Sequence, residues 1–273
     1  MSKVWFITGT SRGFGRNFAE AALGRGDKVA ATARDIGSLD DLVGEYGDAV
    51  LPLALDVTDR SAVFEAVRAA HDKFGRLDVV VNNAGYGLFG MVEEITEEQL
   101  RDQLETNLFG AFAVTQAALP IMRGQRAGHI VQISTIGGIL TFPSLGGYHA
   151  SKWALEGISE SLAQEVAEFG IKVTLVEPGG YATDWAGSSA TFAAPNPAYD
   201  HVREELARRQ GEAQMADPTA VGQALLEVVD ADQSPLRVFF GSGLVEMVEG
   251  MYDKRLQTWK SWQSVSDRAQ GIG

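Results

Sequence analysis

Thr8-Gly9-Thr10-Ser11-Arg12-Gly13-Phe14-Gly15 is the stretch on which the fold turns. The apolar run Val4-Trp5-Phe6-Ile7 precedes it, and Phe14, Phe18, Ala21 and Ala22 follow at helical spacing. A strand at 3–8, a glycine-rich corner, a helix at 14–25 ending on Gly24-Arg25-Gly26 and a strand at 28–33 are therefore predicted. In such a corner the glycines let backbone N–H groups approach a pyrophosphate, and the positive end of the helix dipole favours its charge. Gly9, Ser11, Arg12, Gly13, Phe14 and Gly15 become candidate dinucleotide contacts. The Gly-x-x-x-Gly-x-Gly spacing departs from Gly-x-Gly-x-x-Gly, and taken alone the turn would serve equally as a tight strand–helix corner.

Outward from this unit the same alternation continues. Strands are predicted at 49–55, 77–82, 128–134, 171–177 and 236–241, and helices at 60–74, 97–122, 147–169 and 218–230. Asp217-Pro218 opens the last helix as cap and first-turn proline. Seven strands alternating with helices predict an α/β fold: a single doubly wound domain over 1–273, with a seven-stranded parallel sheet covered by helices on both faces. Residues 183–216, rich in Ala, Ser and Pro with isolated Trp185, Phe192 and Tyr199, read as a substrate loop or a surface insertion. A C-terminal helical segment at about 244–265 repeats Leu244, Met247, Val248, Met251, Tyr252, Leu256 and Trp259 at near-helical spacing, for packing on the same chain or on a neighbour.

Composition excludes several classes. The chain of 273 residues carries 23 Lys+Arg against 36 Asp+Glu, a net charge of −13 that disfavours a broad nucleic-acid surface. No cysteine is present, so disulfides, thiolate metal sites and a cysteine nucleophile are excluded. The histidines at 71, 129, 149 and 201 are scattered, and no metal site is expected. No apolar run approaches the ~20 residues that span a bilayer. A cytoplasmic protein with no membrane partner is expected.

The end of the second strand bears on the choice of dinucleotide. An acidic residue there would bond the adenosine ribose and select NAD, but the run reads Val29-Ala30-Ala31-Thr32-Ala33-Arg34. Arg34 and Arg12 would instead converge on a 2′-phosphate, which favours NADP(H). NAD(H) stays possible, because a strand end one residue later brings Asp35 near the ribose. Further on, Tyr148-His149-Ala150-Ser151-Lys152 opens a predicted helix, where positions i and i+4 are neighbours. A phenol, with an ordinary pKa of about 10, becomes an acid–base catalyst when an adjacent ammonium stabilises its phenolate. On its own the same pair would be an ordinary exposed helix turn.

Together these motifs resemble those of the short-chain dehydrogenases/reductases. The resemblance runs through TGTSRGFG at 8–15, NNAG at 82–85, Asn107 in NLFG, the Ser-Thr pair at 134–135, YHASK at 148–152 and PGGYAT at 178–183. It implies a Rossmann-type fold and NAD(P)-dependent hydride transfer at CH–OH/C=O groups. Tyr148 would be the general acid or base and also a cofactor contact, Lys152 would lower its pKa and hold the nicotinamide ribose, and Asn107 would hold a water in a proton relay. The family's carbonyl-orienting serine stands thirteen residues before the tyrosine, which here is Thr135, with Ser134 the alternative. Asp56 and Val57 would meet the adenine, and Asn83, Ala84 and Gly85 the adenosine and ribose side. Pro178 and Gly179 would end the sixth strand beside the nicotinamide, and Thr183 would bond its carboxamide. A homodimer or homotetramer is implied as well.

Phe89, Leu140, Phe142, Tyr181, Trp185 and Phe192 are expected to wall an apolar pocket, suited to a hydrophobic ketone or secondary alcohol. The competing readings are a non-catalytic NADP(H)-binding redox sensor and a same-fold epimerase or dehydratase.

Overall fold

A computed structural model describes residues 2–183, 185, 187–210 and 215–271. Positions 184, 186 and 211–214 of the expected substrate loop lie outside the described residues. The chain, read from the sequence as one domain, groups into two compact units, Met1–Phe240 and Gly241–Gly273.

In the first unit, β1 (Val4–Ile7), α1 (Gly13–Gly24) and β2 (Lys28–Ala33) form the expected strand–helix–strand. Then come α2 (Asp40–Tyr46), β3 (Val50–Ala54), α3 (Arg60–Phe74), β4 (Val79–Asn82), β5 (Leu88–Phe89), α4 (Glu97–Leu104), α5 (Ala111–Gln125), β6 (Gly128–Ile133), α6 (Gly146–Val166), β7 (Ile171–Pro178), β8 (Thr191–Phe192), α7 (Asp200–Gln210), α8 (Val221–Asp230) and β9 (Arg237–Phe240). Seven strands form one parallel sheet in the order β3-β2-β1-β4-β6-β7-β9. Side chains alternate through it. Trp5 and Ile7 enter one core with Phe18, Val29 and Leu225, whereas Val4 and Phe6 enter the other with Val63, Val67 and Val114. With both faces covered, β4 is apolar at every position but the last and wholly buried. The strand order reverses between β1 and β4, and the crevice beyond their carboxyl ends is where such sheets bind ligands.

Several features differ from the sequence reading, beginning with α2, a helix not predicted between the second and third strands. The helix expected at 97–122 is broken by a π turn at Glu105–Gly110 between α4 and α5. Its hydrophobic period persists across the break, while the bonds that favour the π turn come from the distant Tyr86 backbone. The stretch at 183–216 is partly regular, holding β8 and α7. A second, two-stranded parallel sheet joins β5 to β8, with Thr191 N–H donating to Gly87 O at 2.9 Å and Ala193 N–H to Phe89 O at 2.8 Å. Two-residue strands are too short to show a period.

The second unit contains α9 (Leu244–Ser261) and α10 (Gln263–Ala269), with Val245, Met247, Met251, Trp259 and Trp262 exposed. Among the described residues no helix is long and apolar enough to cross a membrane, and no three His, Asp or Glu side chains are grouped to hold a metal.

Candidate active site

The glycine-rich corner is held from two sides, the end of β2 and the segment after β4. Thr10 N–H donates to Thr32 O at 2.8 Å, tying the corner to the end of β2. Thr8 Oγ1 accepts from Asn83 N–H and Ala84 N–H, each at 2.9 Å, and Asn83 Nδ2 donates to Thr8 O at 2.9 Å and Gly9 O at 3.0 Å. The Asn83 amide, expected to line the adenosine side, thus clamps the turn itself. Thr8, which the sequence reading left out, is the buried partner in this clamp. Gly9 has φ +70° and Gly13 φ +61°, conformations that glycine adopts without a Cβ penalty. A Cβ on Gly15 would lie 2.2 Å from Gly9 O.

These features fit a dinucleotide phosphate. A Cβ built on Gly13 meets nothing within 4 Å, and the N–H groups opening α1 receive no side-chain cap from Arg12. Ser11 and Arg12 are exposed at this mouth, and Phe14 packs edge-on against Tyr181 at 4.9 Å.

β2 ends at Ala33, so Arg34 is the first residue beyond it and is exposed. Asp35 accepts from Gly37 N–H at 3.0 Å and caps the turn at Ile36–Leu39, which turns its carboxylate to local use. Arg12 donates to Ser188 Oγ at 3.1 Å and Ser189 Oγ at 2.5 Å, so it ties the corner to the loop after β7. Asp56 accepts from Thr58 N–H at 3.0 Å, while the neighbouring Val57 is buried against Gly110.

The second cluster gathers at the start of α6. Tyr148 is buried, with the Thr135 hydroxyl close enough to favour its ionised form against the effect of burial. Thr135 Oγ1 also donates to Pro178 O at 3.3 Å and accepts from Gly137 N–H at 3.2 Å. Ser134 turns the other way: a Cβ on Gly138 would lie 2.5 Å from its Oγ and 3.0 Å from Glu156 Oε1. Alternation along the end of β6 produces this division.

Lys152 does not bond the phenol. Its Nζ donates to Ile133 O at 2.7 Å and stands 6.0 Å from the Tyr148 ring centroid. Burial pulls the ammonium down to about 8, opposed by the Glu156 charge. Burial also raises the Tyr148 phenol, so its protonated form dominates at neutral pH. That is opposite to the lowering expected from a lysine neighbour, because desolvation outweighs an ammonium turned toward a carbonyl.

Asn107, brought inward by the π turn, accepts from Tyr86 N–H at 3.1 Å and donates to Tyr86 O at 3.0 Å and Ser151 Oγ at 3.2 Å. Gly85 leaves room beside it, since a Cβ there would lie 3.0 Å from Asn107 Oδ1 and 3.8 Å from Lys152 Nζ. His149, unassigned from the sequence, orders the loop before Tyr148: its ring bonds Gly137 O at 2.8 Å and accepts from Phe142 N–H at 2.9 Å. Gly179 N–H donates to Phe240 O at 2.9 Å just beyond β7, and Thr183 Oγ1 accepts from Trp185 N–H at 3.4 Å. Aromatic rings cover Tyr148. Trp185 lies 4.9 Å from the Tyr148 ring and 5.1 Å from Phe89, which stacks on Phe192 at 5.1 Å.

A doubly wound sheet with a glycine-rich corner at its switch point and a buried Tyr-Lys pair is the arrangement of a nucleotide-dependent oxidoreductase fold. The sequence model described as short chain dehydrogenase matches residues 3–193, and the chain belongs to the short-chain dehydrogenase/reductase family. It is 44% identical to oxidoreductase BOA17 of Botryotinia fuckeliana over 97% of this chain and 98% of that protein. A short-chain dehydrogenase from Streptomyces avermitilis superposes with a TM-score of 0.92 at 42% identity, covering 98% of each chain. Two further solved structures hold nicotinamide nucleotides. One, an alcohol dehydrogenase from Thermococcus sibiricus with 5-hydroxy-NADP, has a TM-score of 0.75 and 26% identity over 89% of this chain and 98% of its own. The other, a Burkholderia phymatum short-chain dehydrogenase/reductase with NAD, has 0.81 and 27% over 94% and 95%.

Proposed function

We propose that this protein is an NADP(H)-dependent oxidoreductase that interconverts a hydrophobic ketone and its secondary alcohol, with Tyr148 as general acid and base. The observation that carries the reading is the buried Tyr148 phenol beside the Thr135 hydroxyl, with Lys152 one helical turn on. A nicotinamide dinucleotide bound at the glycine-rich corner supplies or accepts the hydride. Thr135 orients the carbonyl oxygen, and Tyr148 gives or takes the proton on it. Lys152 holds the nicotinamide ribose and, with Asn107 across the space beside Gly85, lines the path by which Tyr148 regains its proton. Thr183, Pro178 and Gly179 bound the carboxamide side.

Support for an apolar substrate comes from Trp185, whose ring stands beside Tyr148, and from Phe89 and Phe192, which continue the aromatic stack away from it. Cytoplasmic action as a homodimer or homotetramer belongs to the same reading. Phe109, Phe112, Trp153 and Ile158, each at least 36% exposed around the π turn, α5 and α6, are the apolar side chains a second copy would cover. A light-scattering mass of one chain would count against it.

Preference for NADP(H) rests on Arg34 beyond β2 and on the engaged Asp35 carboxylate. Hydrogen bonds to charged groups contribute about 1.5–3 kcal/mol. Arg34→Ala is therefore expected to weaken NADPH binding roughly ten- to hundredfold, leaving NADH binding unchanged, as read by nucleotide fluorescence at fixed salt. Equal weakening of both nucleotides would remove Arg34 from the 2′-phosphate.

A further inference from the structure

A buried acidic cluster lies one helical turn along α6 from Lys152. Glu156 follows Lys152 by one turn of α6, Glu177 precedes Pro178 on β7, and Arg237 lies on the adjacent β9. Arg237 Nε donates to Glu156 Oε2 at 3.0 Å and stands 3.4 Å from Glu177 Oε1. Its Nη2 donates to Glu160 Oε2 at 2.8 Å, so one guanidinium faces three carboxyl groups. Glu177 is 0% exposed and Glu156 4%. Glu156 Oε1, both Glu177 oxygens and the Ser134 hydroxyl beside Glu156 are buried without a geometrically formed hydrogen bond among the described residues, so Ser134 can serve only one of the three carboxyl oxygens.

Ionised carboxylates only accept hydrogen bonds, so two of them facing one another leave these oxygens unpaired and also repel. One proton turns an acceptor into a donor and removes one charge. The groups facing the pair are Lys152 and Glu160 on α6, Arg237 on β9 and the Ser134 hydroxyl at the end of β6; the Ile136–Gly138 turn carries no charge.

We propose that Glu156 and Glu177 are positioning residues that share one proton at neutral pH, and that the charge left on Glu156 holds the Lys152 ammonium protonated at the Ile133 carbonyl. The first half stands on the cluster alone, and the second rests on the hydride-transfer reading of Lys152. Burial and the facing carboxylate push Glu177 up to about 8, and burial raises Glu156 too. A carboxyl raised on folding contributes stability present below its unfolded pKa of about 4.3 and lost as pH rises through its folded value. Stability of the wild type therefore falls relative to Glu177→Gln between about pH 4.3 and 8.

Infrared spectra of the full chain test the pair without requiring activity. A protonated-carboxyl stretch is expected at pH 7, disappearing as pH rises through about 8, and absent from Glu177→Gln. Its absence from the folded wild type at pH 7 overturns the shared proton, whether or not the variant folds. The link to Lys152 is read from NADPH affinity against pH. In Glu156→Gln the alkaline loss of affinity is expected to move about one unit lower, and Glu156→Asp, which keeps the charge, moves it back. Unmoved alkaline midpoints in folded Glu156→Gln overturn that link, since a merely structural role would lower Tm without shifting the midpoint. No NADPH binding by the wild type at any pH would defeat the hydride-transfer reading and this link with it, while the infrared band still decides the pair.

Discussion

Tyr148→Phe is expected to lower kcat for NADPH-dependent reduction of a hydrophobic ketone roughly a thousandfold, within the range contributed by positioned acid–base groups. The substitution removes one oxygen and keeps the ring that packs 4.9 Å from Trp185. Thr135 retains its bonds to Pro178 O and from Gly137 N–H, so no buried hydroxyl is orphaned and Tm should change little. NADPH affinity is expected to stay near the wild-type value, because the corner proposed to receive the phosphates is built from Thr8 to Gly15 and Asn83, away from the phenol. Steady-state kinetics, nucleotide fluorescence and thermal melting separate these outcomes. Undiminished turnover would mean that the proton comes from another group and would sink the mechanism. Burial raises the phenol pKa, so Tyr148 stays protonated through neutral pH and should not itself limit reduction there. Alkaline loss is expected instead as Lys152 deprotonates around pH 8.

Gly15→Ala should be nearly as damaging, through stability and cofactor binding together. The added Cβ would stand 2.2 Å from Gly9 O and 2.5 Å from Asn83 Nδ2. Neither neighbour can give way cheaply, since Asn83 Nδ2 donates to Thr8 O and Gly9 O and the Asn83 backbone is held by Thr8 Oγ1. Overpacking costs typically about 1–3 kcal/mol, and a clash with clamped backbone belongs at the upper end. About 3 kcal/mol corresponds to a Tm drop of roughly 6–12 °C for a domain of this size. NADPH binding should be lost even where the protein folds, because the corner must open to admit the methyl group. Gly24→Ala at the end of the same helix is the control: its Cβ meets nothing within 4 Å, and the change should be neutral or slightly stabilising. A Gly15→Ala protein that melts and binds like the wild type would show the corner to be softer than its bonds imply.

Much of this architecture is legible one residue at a time. The seven principal strands emerge near their predicted places because a strand buried on both faces must be apolar, as in Val79-Val80-Val81. The helix predicted at 60–74 has those bounds in the structure, with Asp59 accepting from the Ser61 and Ala62 N–H groups and Gly75 left-handed after its end. Local signals mark both termini. The π turn at Glu105–Gly110 leaves no such mark, since α4 and α5 share one hydrophobic period and the partner of Asn107 is the Tyr86 backbone. Arg12 likewise reads as a phosphate ligand beside its own turn, while the hydroxyls it meets belong to Ser188 and Ser189.

Periodicity and short-range spacing by themselves determined the α/β class, the parallel sheet, the glycine corner and the placement of Tyr148 and Lys152 one turn apart, because these follow from neighbours along the chain. Tertiary structure alone decided that Thr135 rather than Ser134 faces the phenol and that Asn83 clamps the corner. It also decided that Lys152 turns to a carbonyl and that Glu156, Glu177 and Arg237 meet. Those outcomes depend on how desolvation and hydrogen-bond demand are satisfied among residues distant in sequence, which packing settles and local pattern does not encode.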